Sequence, residues 1–491
     1  MKLSKSWPVI TCAAFFALLT GAYLYYWPAW GLQDDAQSLG IARLIWESGH
    51  FWASLWEMIQ GDLASWGIFR PVYYFSVAVN YHFFKDAPWL LYIFVAIFNF
   101  CAILIWGKVI TRLFALTEDE KFMGIFFFPL SFFIFTPFWN IFTHISFQEK
   151  YIVLFSAAAF YFFEKAYRTD RAVFLAPVVA SIFLGLLSKP TGIYLTMTFA
   201  GFAVMDLLFF KYNKRISLWV LSVNAAIFIA YYWFIKMNLR GYAGQYSLSP
   251  GSIIGNLLHA PLVIQFLILM ALLMSFMVVL KTIYKKNPFS PLVLLIPAGF
   301  LSYVLVLAPW RLVNYLFSAL TPYVLIMFFP LFLWCRRKNK GLGLSVNVSL
   351  VFLVFMSFFF ISVPRISKLA DIHRAETFIA SSEKSQYQYF FPPPFSEAAE
   401  AIGTFTSRKI QYLQDGVLSE KQYDDKRINR LIVNDEAAPV TLKGVQTGKT
   451  VYQNNTWKIV ELSKDGKNTE TFKADFPKNF AQRLKSFLRD L

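Results

Sequence analysis

Charge is what this chain has least of. Only 15% of its residues are Asp, Glu, Lys or Arg, against about a quarter in an ordinary soluble domain. The shortage falls hardest on acids, with 29 Asp and Glu against 46 Lys and Arg and a formal charge of +17. Cysteine is scarce as well. Cys12, Cys101 and Cys335 lie in or at the edge of apolar runs without paired spacing, which excludes a disulfide framework and thiolate metal or redox chemistry. No phosphate-binding loop is present either: Gly448-Lys449-Thr450 looks like the end of one, but the glycine required five positions earlier is Lys443. Nucleic acid is excluded as a partner, because the Lys and Arg residues gather in short clusters between apolar runs, where they mark one side of a membrane.

What the chain has in excess is apolar and aromatic surface. With 57% hydrophobic residues, 55 of them phenylalanine, and a positive mean hydropathy, it has the composition of a protein dissolved in lipid. Windows of about 20 apolar residues predict about eleven spans, near 7–30, 88–107, 122–139, 151–166, 172–188, 191–210, 217–235, 257–280, 289–309, 312–334 and 345–363. Lys2 and Lys5 ahead of the first run, with no small-residue cleavage site after it, predict an uncleaved signal anchor.

Counting from an inner N-terminus, basic clusters fall on every second connection: Lys108/Arg112/Lys121, Lys165/Arg168/Arg171, Lys211/Lys214/Arg215, Lys281/Lys285/Lys286 and Arg336/Arg337/Lys338/Lys340. The alternation requires that 70–84 does not cross. Residues 31–87 are therefore expected on the outer face as interfacial helices rich in Trp46, Trp52, Trp56 and Trp66, with a shallow re-entrant path for 70–84 equally compatible. Beyond 363 the composition turns polar. Residues 364–491 are expected to form a separate soluble α+β domain on the outer side, with strands over 430–434, 440–443, 450–453 and 456–462. Ser396 is a candidate helix cap, and 479–491 has an amphipathic helical pattern.

The residues that stand out chemically fall on the outer connections. Asp34 and Asp35 follow the first span; adjacent carboxylates contribute nothing to a span, and two in one site push one pKa upward, which suits a general base. Arg70, Lys189 and Arg311 each end an apolar stretch on the same side. Singly each is explained by snorkelling, but together they suit a lipid-linked phosphate held at membrane level. His144 and Glu149 form a third group at the outer end of another span. No second histidine stands at ligand spacing from His144, while Glu149 suits orientation of a sugar hydroxyl and leaves a divalent ion open.

These elements, in this order and on this side, resemble the GT-C superfamily of polyprenyl-phosphate-sugar glycosyltransferases, in particular the branch of protein O-mannosyltransferases and lipid A aminoarabinose transferases. The resemblance is carried by Asp34-Asp35, by Arg43, Ser48 and Gly49, by Phe69-Arg70-Pro71, by Lys189, and by Trp310-Arg311 through Asn314-Tyr315, over about residues 7–320. It implies a GT-C-like membrane domain over 1–363. Asp34 or Asp35 would act as base on the acceptor hydroxyl, Arg70, Lys189 and Arg311 would bind the donor phosphate, and transfer would proceed with inversion. The outer loop 236–256, with Arg240, Tyr242 and Tyr246, matches the mobile loop that closes over the donor in such enzymes.

The implied partners are a polyprenyl-phosphate sugar, membrane lipids, and a glycan, lipid or protein acceptor. The implied location is a bacterial inner membrane with the site on the periplasmic side. Many relatives have Asp-Glu at the first acidic pair, which leaves the base open between Asp34 and Asp35. Pro190 follows Lys189 where some relatives place an acid. The alternative is a polytopic transporter or a flippase for lipid-linked glycans, which shares the spans and the basic inner face but needs ionisable groups near the midplane.

Overall fold

A computed structural model describes residues 3–28, 34–114, 116–146, 148–238, 255, 262–283, 291–307, 317–338, 340–381, 386–392, 406, 410–413, 415–423, 427–434, 437, 439–454 and 456–473. Six of the described helical stretches are long and apolar enough to cross a membrane: Trp7–Tyr26, Pro88–Leu113, Pro190–Phe210, Lys214–Tyr231, Ser318–Lys338 and Ser345–Ser381. Shorter apolar helices cover Ala172–Ser188, Gln265–Met277 and Pro291–Leu307. The protein is an integral membrane protein whose helical bundle is followed by a sheet domain, as its composition predicts.

The expected span at 122–139 is not one continuous α-helix. After Glu118–Phe122 the chain passes through a π-turn at Met123–Phe127 and 3-10 turns at Phe128–Ile134 and Thr136–Trp139. Pro129 falls within this stretch and cannot donate the hydrogen bond a regular helix would need. Irregular backbone at membrane depth is tolerated only where protein covers it, and Phe127 to Phe133 are all buried.

Contacts at the two ends of the bundle fix how the helices run. At one end Arg112 Nη1 donates to Glu164 at 2.7 Å and Arg168 Nε to the same carboxylate at 2.6 Å. Tyr167 and Ser217 donate to Asp206, each at 2.6 Å, and Arg337 pairs with Glu120 at 2.7 Å. The clusters at 108–121, 165–171, 211–215 and 336–340 thus share this end. At the other end Tyr23 donates to the Phe142 carbonyl at 2.8 Å, Asn99 to that of Ile141 at 2.7 Å and Arg365 to the Asn140 side chain at 2.8 Å. These four clusters follow the expected alternation, while Lys285 and Lys286 of the fifth lie outside the described residues.

The chain beyond 363 stays helical: Val363–Ser381 continues through a π-turn at Phe358–Ser362 from Lys340–Ser357. The loosened turn accommodates Pro364, whose ring and missing N–H would break a tight helix. Six strands follow, β1 Tyr387–Phe391, β2 Ile410–Tyr412, β3 Val417–Ser419, β4 Ile428–Asn434, β5 Val440–Gln453 and β6 Trp457–Phe472, ordered β2-β1-β4-β6-β5-β3. The pairs β1/β2, β1/β4 and β3/β5 are parallel, while β6 is antiparallel to β4 and β5. Side chains alternate between faces. Tyr389, Phe391, Ile432, Trp457 and Ile459 join the core of the bundle, whereas Phe390, Leu431, Val433 and Val460 form a second core. Ser396 and 479–491 lie outside the described residues.

Candidate active site

Three short helices, Asp34–Glu47, Phe51–Trp66 and Pro71–Phe84, build one side of the site. Gly67 closes the second in the left-handed region (φ 68), its N–H donating to the Leu63 carbonyl at 2.9 Å, and Pro71 starts the third with φ already set for a helix. Their apolar faces meet in a small core of Ala42, Ile45, Leu55, Ile59, Tyr73, Tyr74, Val77 and Ala78. Trp46 fastens the first to the third by donating to the Ala78 carbonyl at 2.8 Å. Trp52 and Trp56 remain exposed on the outside, the behaviour of an interfacial hairpin. At 14 residues, Pro71–Phe84 is about 21 Å long, short of a hydrocarbon core of about 30 Å.

Arg70 caps this third helix and is held on several sides. Its Nε donates to Asp62 Oδ2 at 2.9 Å and its Nη2 to the Tyr74 hydroxyl at 3.3 Å, while its guanidinium lies over the rings of Tyr73 (5.1 Å) and Tyr74 (5.5 Å). Burial works against its charge, but Asp62 and the two tyrosines outweigh that and raise its pKa above the ordinary value. Asp62 was not apparent from the sequence. The signal it leaves is a carboxylate at the third position of the buried stripe Leu55, Ile59, Asp62, where helical periodicity calls for an apolar residue.

Lys189 and Glu149, both expected from sequence, are brought together: Lys189 Nζ donates to Glu149 Oε1 across a chain separation of 40. Glu149 is 1% exposed and Lys189 16%. Glu149 opens the helix Glu149–Thr169, where the N-terminal dipole favours a carboxylate. Lys189 sits in the corner after Leu175–Ser188, in the extended conformation that a following proline imposes. The corner is tight, since a Cβ on Gly192 would lie 2.6 Å from the Gly185 carbonyl carbon. Lys150, also buried, donates to the Ile145 carbonyl, and half-buried His144 follows the short helix Asn140–Thr143 at this same end.

The two halves are joined. Ser76 and Tyr151, the latter two residues past Glu149, share a hydrogen bond of 2.6 Å; within the first half, Ser38 and Tyr73 share one of 2.5 Å. Asp34 and Asp35 begin the helix that carries Ser38, where the dipole also favours acids; their side chains lie outside those described. Arg240, Tyr242, Tyr246 and Arg311 lie outside the described residues altogether. Among the described residues no group of three or more His, Cys, Asp or Glu side chains is placed to hold a metal.

No protein-family model matches this chain, and no curated protein matches it. Among solved structures it is similar to ArnT from Cupriavidus metallidurans bound to undecaprenyl phosphate, at 10% identity and a TM-score of 0.48, over 91% of this chain and 97% of that one. It is also similar to the apo oligosaccharyltransferase of Archaeoglobus fulgidus, at 10% identity and a TM-score of 0.45, over 88% and 70% of the two chains. The archaeal oligosaccharyltransferase AglB of Archaeoglobus fulgidus, in complex with an inhibitory peptide and a dolichol-phosphate, is similar at 11% identity and a TM-score of 0.42, over 81% and 64%. At such identities and scores none of these likenesses bears on chemistry.

Proposed function

We propose that the protein is an inverting glycosyltransferase that moves a sugar from a polyprenyl-phosphate donor to a hydroxyl acceptor. The observation that carries this reading is the gathering of Arg70, Lys189, Glu149 and the acidic turn Asp34–Asp35 at one end of the bundle, opposite its basic end. The basic end faces the cytoplasm by the positive-inside rule. The site and the domain over 364–491 then face the periplasm of a bacterial inner membrane, and 1–363 carries the chemistry.

In the reaction, the acceptor oxygen attacks the anomeric carbon as the bond from that carbon to the phosphate oxygen breaks on the opposite side, and Asp34 or Asp35 takes the hydroxyl proton. The departing polyprenyl phosphate carries the electron pair, and Arg70, Lys189 and Arg311 stabilise it. Glu149 aims Lys189, and with His144 lines the sugar side. Arg240, Tyr242 and Tyr246 belong to a loop that closes over the donor. A transporter or flippase fits less well. A carrier places ionisable groups near the midplane, whereas in five of the six described spans any Asp, Glu, Lys or Arg stands toward a helix end, and in Ser345–Ser381 the charges begin only at Arg365, beyond the uncharged run 345–364.

The test uses purified protein in proteoliposomes with a panel of undecaprenyl-phosphate sugars, alongside envelope glycans from cells with and without the gene. Of Asp34→Asn and Asp35→Asn, at least one is expected to bind undecaprenyl phosphate as wild type does and transfer no sugar. Normal transfer by the double variant ends the mechanism.

A further inference from the structure

The two chemical poles of the site are linked by a hydrogen bond between two buried side chains. Ser38 and Tyr73, 2% and 6% exposed, share a hydrogen bond of 2.5 Å. Ser38 stands four residues after Asp34 and three after Asp35 on one helix, and residues at those spacings share a helix face. Tyr73 stands three residues after Arg70 on another helix, and its ring lies under the Arg70 guanidinium at 5.1 Å. The contact therefore ties the turn that carries the acids to the turn that carries the cation. Asp62 holds the same guanidinium from the helix Phe51–Trp66, so Arg70 cannot drift to follow a displaced acid turn.

We propose that Tyr73 and Ser38 are positioning residues that set the separation between the acidic turn at Asp34–Asp35 and Arg70. This deepens the glycosyltransferase reading and rests on it. Neither residue exchanges a proton with substrate. Their shared hydrogen bond fixes where the base stands relative to the phosphate oxygen that leaves, a distance the in-line geometry of transfer must hold within about 1 Å. Tyr73 does two jobs with separable atoms: the ring supports Arg70 and the hydroxyl reaches Ser38.

Tyr73→Phe keeps the ring under Arg70 and deletes the hydroxyl, and Ser38→Ala removes the other half. With the panel of undecaprenyl-phosphate sugars, each variant is expected to lower kcat by about tenfold to a hundredfold, with affinity for undecaprenyl phosphate alone within about twofold of wild type. The double variant is expected to be no slower than the slower single, since both remove the same shared hydrogen bond. Unchanged kcat overturns the proposal. So does an equal loss of kcat and lipid-phosphate affinity, which would put the hydroxyl on the donor, and so do additive losses.

Hydrogen exchange on the same proteins separates this proposal from the reading beneath it. In Tyr73→Phe the amides of 34–40 are expected to exchange about tenfold faster while those of Pro88–Leu113 do not change. If wild type transfers no sugar from any donor, the glycosyltransferase reading fails on its own. Exchange at 34–40 then decides the coupling: faster exchange upholds it and unchanged exchange overturns it.

Discussion

Replacing Glu149 with Gln takes a counter-charge from the Lys189 ammonium in a place where water reaches little of it. The carboxylate is 1% exposed and the lysine side chain 16%, so the pair is desolvated on the acid side and partly hydrated on the base side. Breaking a fully buried pair by removing one partner costs about 3–5 kcal/mol. With the lysine partly in reach of solvent, the expected loss for Glu149→Gln is about 2–3 kcal/mol. Lys189→Met leaves the better-buried carboxylate alone and should cost more, about 3–4 kcal/mol. Replacing both removes the pair and its desolvation penalty together, so the double variant should regain at least about 2 kcal/mol over the sum of the singles. The assay is thermal unfolding of the four proteins in one detergent, followed by tryptophan fluorescence, with sugar transfer measured in proteoliposomes. The double variant is expected to fold and to transfer nothing, which separates the stabilising role of the pair from its role toward the donor phosphate. Additive losses would refute the claim that the two charges share one desolvated contact. Full activity in the folded double variant would refute the phosphate-binding role.

The Glu120–Arg337 pair gives a pH signature at the opposite end of the bundle. Arg337's hydrogen bonds bring the Glu120 pKa down to about 2. A depressed carboxylate contributes its stability above the unfolded-state pKa and loses it as pH falls from about 4.5 toward 2, so Glu120→Gln should flatten that part of the stability curve and cost about 1–2 kcal/mol at pH 7. Unfolding midpoints of both proteins between pH 3 and 7 check this. Gly192→Ala puts a Cβ 2.6 Å from the Gly185 carbonyl carbon. It should destabilise by about 1–3 kcal/mol and lower donor-phosphate affinity through displacement of the Lys189 corner. An equally stable Gly192→Ala with unchanged affinity would show that the corner relaxes freely.

The bundle was legible because lipid leaves few options: long apolar runs must become helices, and Arg112, Arg168, Lys211 and Arg337 must end on one side. What local pattern could not supply was contact across the chain. Lys189 and Glu149 were each recognisable as charges ending apolar stretches, but their ion pair spans 40 residues, and neither end of it marks the other. Asp62 is hidden for the same reason, since its partner Arg70 lies across the turn at Gly67. In the sheet, the strand expectations at 440–443 and 450–453 are the two ends of β5. Gly444 and Gly448 lie in the gap between them. They stand where the pairing of β5 with β6 shifts register, between Lys443 and Val445 and between Thr447 and Thr450, and glycine in a strand marks such an irregularity as readily as a turn. The strand Tyr387–Phe391 went unread because the proline-rich run beginning at Pro392 masks a short strand beside it.

The sheet domain is part of the frame of the site, although its composition suggests a separate unit. The 37-residue helical stretch Ser345–Ser381 is about 55 Å long at about 1.5 Å per residue, nearly twice the depth of the hydrocarbon, so it carries the sheet out of the membrane on a stiff arm. The sheet is clamped to that arm. Arg430 lies over the Phe378 ring at 5.6 Å, Phe378 stacks on Tyr452 at 4.9 Å, and Asn454 donates to the Asp371 carbonyl at 3.0 Å. On its inner side the arm packs against Leu3–Tyr26, and Tyr26 lies within electrostatic reach of Asp371 and Arg374. Tyr26 stands eight positions before Asp34 in the chain. The arm that holds the sheet thus also braces the end of the helix from which the acidic turn departs.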